Sequence, residues 1–334
     1  MKKGMMIMFL LNEVLLGAGT VGIAGHVRPD GDCVGSCLGL ALYIRENFPE
    51  IKTKVYLEEF SESFLFLKGA GDVDHDCSQD TEHDVFFALD CGDEARLGDA
   101  VKYFRSAKKT VCIDHHISNT SFAQVNYIEP EASSASELVC NLLEEAKITK
   151  EIAEALYMGI VHDTGVFQYS CTSSHTMKIA GMLMDKGIDF SKIVDDTYYS
   201  KTYVQNQILG RALLESVIMM DSKIVFTALR QKDLAFYGVT YKDLDGIVQQ
   251  LRNTKGVEAA IFLYETGPQE YKVSMRSNGK IDVSKIACYF GGGGHVRAAG
   301  CTMQGSVYDV VNNLVDHMYK QLKQLEACTA KSDS

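Results

Sequence analysis

Histidines and aspartates recur in short segments whose residue types suit the binding of metal ions. Mixed imidazole and carboxylate ligation is typical of manganese, iron, cobalt or zinc rather than calcium. Pro29 and Gly31 predict a tight turn in the first segment, so that its polar side chains converge on one side. The residues are His26, Asp30 and Asp32 in HVRPDGD, Asp90 in ALDCGD, and Asp114, His115 and His116 in IDHH.

The charge of this group indicates which chemistry it performs. Asp163, in GIVHDTG at the end of a helical pattern, adds a fourth aspartate to Asp30, Asp32 and Asp90. Four carboxylates in one cleft cannot all ionise without nearby cations. Two divalent ions about 3.5–4 Å apart would offset them, lower the pKa of a shared water and hold a phosphate oxygen. The group therefore predicts two-metal hydrolysis of a phosphate ester.

The elements that must position these residues alternate between strands and helices. Such alternation predicts β-α-β units and a mostly parallel sheet flanked by helices. Ligands bind outside the carboxyl ends of parallel strands, where these segments fall. The predicted strands span residues 20–26, 52–57, 84–90 and 110–116, and the predicted helices span residues 34–47, 133–146, 150–165 and 173–187.

The pattern changes after residue 200, and 334 residues suit two domains better than one. We interpret 202–216 as part of a connecting helix and the β-rich remainder as a smaller α+β domain. The fold class is therefore α/β with a second α+β domain. The expected organisation is a metal-binding domain over 1–200, a linker helix over 201–216, a substrate-binding domain over 217–327 and a tail over 328–334.

Four consecutive glycines, Gly291–Gly294, precede His295 in the second domain. A glycine run alone is typical of a loop, and no Gly-Lys-Ser/Thr follows to make a P-loop. Glycines do allow backbone amides to approach a phosphate closely. Arg276 adds a planar donor suited to phosphate. This region is therefore a candidate for phosphate binding.

Charge and cysteine content limit the partners and the compartment. The net charge of −11 disfavours long nucleic acids and leaves small phosphorylated ligands open. Ten cysteines without a C-x-x-C pair are typical of a reducing cytosol. Asn12 and Glu13 interrupt the apolar N-terminal segment, and no stretch of about 20 apolar residues exists to span a membrane. We therefore expect a cytoplasmic protein without a membrane partner.

Taken together, the motifs resemble the DHH phosphoesterase family with a DHH-associated C-terminal domain of the first type. HVRPDGDCVGS, ALDCGD, IDHH and GIVHDTGVF carry the resemblance in the first domain. SMRSNGKIDVSKIA and GGGGHVRAAG carry it in the second. The motifs cover nearly the whole chain in the expected order. The resemblance is greatest to stand-alone members: nanoRNases (oligoribonucleases), pAp phosphatases, and phosphodiesterases of cyclic di-AMP or pApA.

The resemblance implies two Mn²⁺ per chain, with Co²⁺ or another divalent ion as substitutes. One ion would be held by His26, Asp30 and Asp90. The other would be held by Asp32, Asp90, His115 and Asp163, with Asp90 as the bridge.

The resemblance also implies roles for the remaining residues. Asp114 would orient His115, as metal-bound imidazoles generally require. His116 would touch the scissile phosphate or donate a proton to the leaving oxygen. The nucleotide substrate would be bound by Arg276, Gly293, Gly294 and His295.

Three other functions are alternatives to nucleotide hydrolysis. An inorganic pyrophosphatase would share the first domain but resembles a different second domain. The short chain and its acidity disfavour an exonuclease of the RecJ kind. Complete ligands at six positions disfavour a non-catalytic nucleotide sensor. The sequence leaves open a homodimer and the choice among pApA, cyclic di-AMP, pAp and short RNA.

Overall fold

A computed structural model describes residues 11–332 of the chain, and the surroundings of side chains as far as residue 325. The chain divides between Ser200 and Lys201 into two compact units. The start of the apolar N-terminal segment and the last two residues of the expected tail lie outside the described residues. Among residues 11–332, none of the helices has the length and hydrophobicity that crossing a bilayer requires.

The first unit contains a five-stranded parallel sheet in the order β2-β1-β3-β4-β5. From β1 the chain passes to β2 on one side, and β3 then lies on the other side of β1. The direction in which successive strands are added therefore reverses between β1 and β3. Such a reversal opens a crevice at the carboxyl ends of the two central strands. The strands are β1 (Thr20–Ala24), β2 (Lys52–Tyr56), β3 (Val85–Leu89), β4 (Lys109–Asp114) and β5 (Val125–Ile128).

Helices and their connections bury the central strands, and all five residues of β3 are buried. Burial on both faces explains why the sequence reads there as a continuous apolar run rather than an alternation. A Cβ at Gly35 would collide with the carbonyl of Ala155, so glycine allows close packing of α1 against α4. The helices are α1 (Gly31–Asn47), α2 (Val101–Ser106), α3 (Ala135–Leu142), α4 (Lys150–Asp163), α5 (Ser174–Met184) and α6 (Phe190–Val194).

The predicted fold class is confirmed, and the differences lie at the ends and edges of elements. The four predicted strands and the helices between residues 31 and 184 are present with shifted ends. The edge strand β5 was not predicted, because three of its residues are only partly buried, the fourth is exposed, and the segment carries no strong pattern.

The second unit contains a six-stranded mixed sheet in the order β10-β11-β9-β8-β7-β6. The three-residue strands β6 and β10 were not predicted. The strands are β6 (Val217–Met219), β7 (Ile224–Leu229), β8 (Ala259–Gly267), β9 (Glu270–Ser277), β10 (Gly293–His295) and β11 (Ala298–Gln304). The helices are α7 (Tyr203–Leu214), α8 (Gln231–Tyr237), α9 (Ile247–Arg252), α10 (Val283–Tyr289) and α11 (Val307–Ser332).

Helix α7 falls where we expected a linker between domains. Its Ile208 and Ala212 are fully buried in one apolar cluster with Val225 and Leu229 of β7. The helix is therefore part of the core of the second unit. The final helix α11 continues to Ser332, so residues 328–332 of the expected tail are helical.

Candidate metal centre

The turn after β1 is shaped by the side chain of Asp30. This residue is the N-cap of α1, and its Oδ1 accepts hydrogen bonds of 3.1 Å from two backbone N–H groups of the first helical turn. His26 Nδ1 lies 2.9 Å from the carbonyl oxygen of Val27, which favours the proton on Nδ1. His26 Nε2 then faces Asp30 Oδ1 at 3.6 Å and Asp90 Oδ2 at 3.4 Å.

Asp90 occupies the centre of the group. It follows β3 directly, and its φ of 56° lies in the left-handed region, which aspartate tolerates better than most residues. Its Oδ1 lies 3.5 Å from His115 Nε2, whereas the oxygen that faces His26 is Oδ2. This oxygen is buried and accepts no hydrogen bond within the described part of the chain. An orphaned buried oxygen between ligand-type groups is what a site for a cation presents.

His115 and Asp163 meet although they come from different layers. His115 follows β4, and Asp163 is the last residue of α4. Their Nε2 and Oδ2 atoms are 3.0 Å apart. The hydroxyl of the buried Thr164 accepts a hydrogen bond of 3.0 Å from the backbone N–H of Phe167, in a turn that follows α4. That turn fixes the end of the helix and so the place of the carboxylate.

Asp32 is fully buried and is held by a helix far away in sequence. Its Oδ2 accepts a hydrogen bond of 2.6 Å from the N–H of Ala135, and its Oδ1 accepts one of 2.9 Å from the N–H of Ser136. Both donors lie in the first turn of α3, where unpaired amides and the helix dipole favour an anion. Sequence reasoning missed these partners. The sequence signal that could have indicated them is the start of α3 at Ser134, whose hydroxyl accepts a hydrogen bond from the N–H of Glu137. The free amides at such a helix start can bind a carboxylate.

One expected contact is not made. Asp114 was expected to orient His115, but its Oδ1 lies 2.7 Å from His116 Nδ1. Its Oδ2 accepts a hydrogen bond of 2.6 Å from Asn119, another residue that the sequence did not point to. The expectation fails because the chain turns immediately after β4, so that adjacent imidazoles point to different neighbours.

Three sets of ligand atoms lie within 4.8 Å of one another in the described residues. Nitrogen–oxygen distances of 3.0–3.6 Å in these sets match two ligands that share one ion at roughly 2.1 Å each. No lysine or arginine in residues 11–325 pairs with the four aspartates of the centre, so their charge calls for a cation. The sets are His26, Asp30 and Asp90; Asp32, His115 and Asp163; and Asp90, His115 and His116.

The pKa values of the aspartates and histidines in the centre reflect the same excess of negative charge. Burial raises the pKa of Asp32, and repulsion from Asp90 and Asp163 raises it further. Burial also raises the pKa of Asp163, against the hydrogen bond from His115. Burial would lower the pKa values of His26 and His115, but neighbouring aspartates raise both to about 12. The donor set therefore fits divalent metal ions, which would supply the missing positive charge.

The predicted substrate residues lie together in the second unit. In the antiparallel sheet, Ala298 of β11 pairs with His295 on one side and with Arg276 on the other. Directly paired residues point to the same face of a sheet, so Arg276 and His295 flank the small methyl group of Ala298. A Cβ at Gly294 would collide with the backbone of β11, so this glycine is needed for strand pairing. Gly293 opens the same short strand.

Comparisons with known proteins agree with this arrangement. Residues 20–160 match the model of the DHH family, N-terminal domain, and residues 221–324 match the model of the DHHA1 domain. The bifunctional oligoribonuclease and PAP phosphatase NrnA of Bacillus subtilis is 28% identical over 289 residues, which are 85% of this chain and 89% of that protein. The protein of the same description from Thermus thermophilus is 29% identical over 304 residues, 89% of each chain.

A solved structure shows the same fold. The crystal structure of an exopolyphosphatase-related protein from Bacteroides fragilis superposes with a TM-score of 0.88 at 27% identity. The match covers 96% of this chain and 98% of the other.

Proposed function

Since this chain is a phosphoesterase built from a DHH family N-terminal domain and a DHHA1 domain, we propose that it hydrolyses short oligoribonucleotides and small nucleotides to nucleoside monophosphates. The substrates proposed are pApA, pAp and, as a further candidate, cyclic di-AMP. The observation that carries the proposal is the convergence of three ligand sets, of which Asp90 belongs to two and His115 to two. The names of the relatives, oligoribonuclease and PAP phosphatase, support the nucleotide class.

The residues proposed to hold two Mn²⁺ ions form two sets joined by Asp90. His26, Asp30 and Asp90 would hold one ion. The other would be held by Asp32, Asp90, His115 and Asp163. When bound, two such ions would lower the pKa of a shared water and offset the charge of the phosphate.

His116 is proposed to donate a proton to the leaving oxygen. Its Nδ1 lies 2.7 Å from Asp114 Oδ1, and Nε2 is the nitrogen proposed to donate the proton. The hydrogen bond to Asp114 raises the pKa of His116 above its ordinary value, against the effect of burial. In the proposed step a water oxygen bonds to phosphorus and gives up one proton to the solvent, the ester bond breaks, and the leaving oxygen takes the proton of His116. His116 then regains a proton from the solvent.

Replacing Asp114 with asparagine tests this role. We expect kcat to fall about 10–100-fold, because the imidazole of His116 loses the partner that orients it and favours its proton. The stoichiometry of Mn²⁺ binding should stay at the wild-type value, because Asp114 lies in none of the three ligand sets. Steady-state kinetics and calorimetric Mn²⁺ titration measure both. Loss of Mn²⁺ binding together with activity would show that Asp114 supports the metal centre instead.

Arg276 and His295 are proposed to hold the part of the nucleotide that is not cleaved. A guanidinium binds phosphate through two parallel hydrogen bonds, and the residue between Arg276 and His295 in the sheet is the small Ala298. Gly293 and Gly294 would let the backbone of β10 approach the same group.

Replacing Arg276 with alanine is expected to raise KM for pApA roughly 10–100-fold, because a charge-assisted hydrogen bond is worth about 1.5–3 kcal/mol. The kcat should change less, since Arg276 belongs to the second unit and to none of the ligand sets. Arg276→Lys is the matched control and should recover only part of the loss, because lysine lacks the planar fork. Unchanged KM in Arg276→Ala would remove this residue from the substrate site.

The function as a whole is tested by a panel of pApA, pAp, cyclic di-AMP, short RNA and pyrophosphate with Mn²⁺. Wild type and His115→Ala should be assayed side by side. We expect the wild type to release nucleoside monophosphates and the variant to be inactive. Preference for pyrophosphate would overturn the substrate class, and equal turnover by both proteins would overturn the metal centre.

A further inference from the structure

We propose that Glu137, a buried carboxylate that lies outside the metal centre, is a positioning residue for Asp32. It would hold the first turn of α3, whose backbone amides hold the Asp32 carboxylate. The inference rests on the proposed function, because it takes Asp32 as a ligand of one metal ion.

The contact between Asp32 and α3 is bidentate and buried. Each oxygen of the carboxylate accepts one backbone N–H, from Ala135 at 2.6 Å and from Ser136 at 2.9 Å. Asp32 is fully buried, as are both donor residues. The direction of the carboxylate therefore follows the position of two consecutive amides, and any shift of this turn shifts a proposed metal ligand.

Glu137 ties this turn to two neighbouring segments. Its Oε2 accepts hydrogen bonds from the hydroxyl of Ser133 at 2.5 Å, from the N–H of Ser133 at 3.4 Å and from the hydroxyl of Thr176 at 2.7 Å. Ser133 precedes the N-cap of α3, and Thr176 lies in the first turn of α5. One carboxylate oxygen thus links the starts of two helices.

An ion pair does not explain why Glu137 is buried. Only 3% of its surface is exposed, and no lysine or arginine in residues 11–325 pairs with it. A buried carboxylate is costly unless its hydrogen bonds compensate the lost hydration. An apolar residue would fill the same space without losing the hydration of a charge. We therefore attribute the carboxylate to the hydrogen bonds by which it fixes the first turn of α3.

The packing around Asp32 leaves it little room to move. A Cβ at Gly159 of α4 would lie 2.9 Å from Asp32 Oδ1 and would collide with Ser136 Oγ. Helix α4 therefore packs closely against both the carboxylate and the first turn of α3. Asp32 cannot compensate for a displaced α3 by rotating towards α4, and so small shifts of the turn reach the metal centre.

The experiment compares Thr176→Val with Thr176→Ser and includes Glu137→Gln. Valine removes the hydroxyl that Glu137 binds while keeping the shape of threonine, and serine keeps the hydroxyl. In Glu137→Gln, the weaker amide acceptor replaces the carboxylate. Calorimetric titration of the metal-free proteins with Mn²⁺ gives the affinity and number of sites, and kinetics with pApA give kcat and KM separately.

We expect Glu137→Gln and Thr176→Val to bind one of two Mn²⁺ ions roughly 10–100-fold more weakly. Because less Mn²⁺ is then bound, kcat at a fixed subsaturating Mn²⁺ concentration should also fall. KM for pApA should not change. Thr176→Ser should recover the wild-type affinity. Ser173→Ala, which removes the N-cap of α5, controls for general destabilisation of that helix and should keep the wild-type Mn²⁺ affinity.

Wild-type Mn²⁺ affinity in Glu137→Gln and Thr176→Val would overturn the role of Glu137 and leave the proposed function intact. Equal weakening in Ser173→Ala would also overturn it, because loss of helix stability alone would then explain the result. A wild-type protein that binds no Mn²⁺ would instead contradict the proposed function. If Glu137→Gln does not fold, the Thr176 pair decides alone.

Discussion

Replacing Asp90 with asparagine is expected to lower kcat/KM for pApA by about 1,000-fold, which corresponds to roughly 4 kcal/mol of lost transition-state stabilisation. Asp90 belongs to two of the three ligand sets, and one of its oxygens faces His26 while the other faces His115. Asparagine keeps the size of the side chain but offers one neutral oxygen in place of two charged ones. Both proposed ions would therefore lose a ligand through one substitution.

Kinetics alone would not separate a lost metal from a lost fold. Mn²⁺ titration should show weaker binding at both sites of Asp90→Asn, and circular dichroism should show the wild-type fold. Asp189→Asn is the matched control, since Asp189 caps α6 in the same unit and lies in none of the ligand sets. Activity of Asp90→Asn within tenfold of wild type would contradict the bridging role.

Removing metal is expected to destabilise the first unit, and more so at higher pH. Ions that bind only the folded state stabilise it by about 2.7 kcal/mol at 100 times their dissociation constant. For a unit of this size that corresponds to a fall in Tm of roughly 5–10 °C on chelation. Thermal melts with Mn²⁺ and with a chelator, between pH 6 and 9, measure the difference.

The pH dependence follows from groups whose pKa values are raised in the metal-free fold. The stability that His26 and His115 contribute is fully present below their ordinary pKa of 6.5 and is lost as pH rises towards about 12. Asp32 and Asp163 also have raised pKa values, so their contribution is present below the ordinary carboxyl pKa and is lost as they ionise. The metal-free protein should therefore become less stable as pH rises from about 6.5.

Metal binding has the opposite dependence, because protons compete with metal ions for imidazole and carboxylate ligands. The difference in Tm between the Mn²⁺-bound and metal-free proteins should therefore widen from pH 6 to 9. His115→Ala should show a much smaller difference throughout. A difference that narrows with rising pH would indicate that the carboxylates are already neutralised by something other than metal.

The sequence alone was sufficient to predict strands β1 to β4 of the parallel sheet and the polar residues that follow β1, β3 and β4. The apolar run of β3 followed by Asp90, and that of β4 followed by His115, locate both residues without tertiary information. Parallel strands have their carboxyl ends at one edge, so residues that follow them converge whatever the details of packing. Counting charges then predicted cations, because the cost of gathering carboxylates depends on their number and closeness.

Only the tertiary structure decided which polar groups hold the ligands in place. Asp114 pairs with His116 rather than His115, and Asp32 is bound by amides 103 and 104 residues further along the chain. These partners depend on which helix end packs against the sheet and on how a turn leaves its strand. Hydrogen bonds are short and directional, so displacements of about 1 Å exchange one partner for another, and no pattern in the sequence encodes distances of that size.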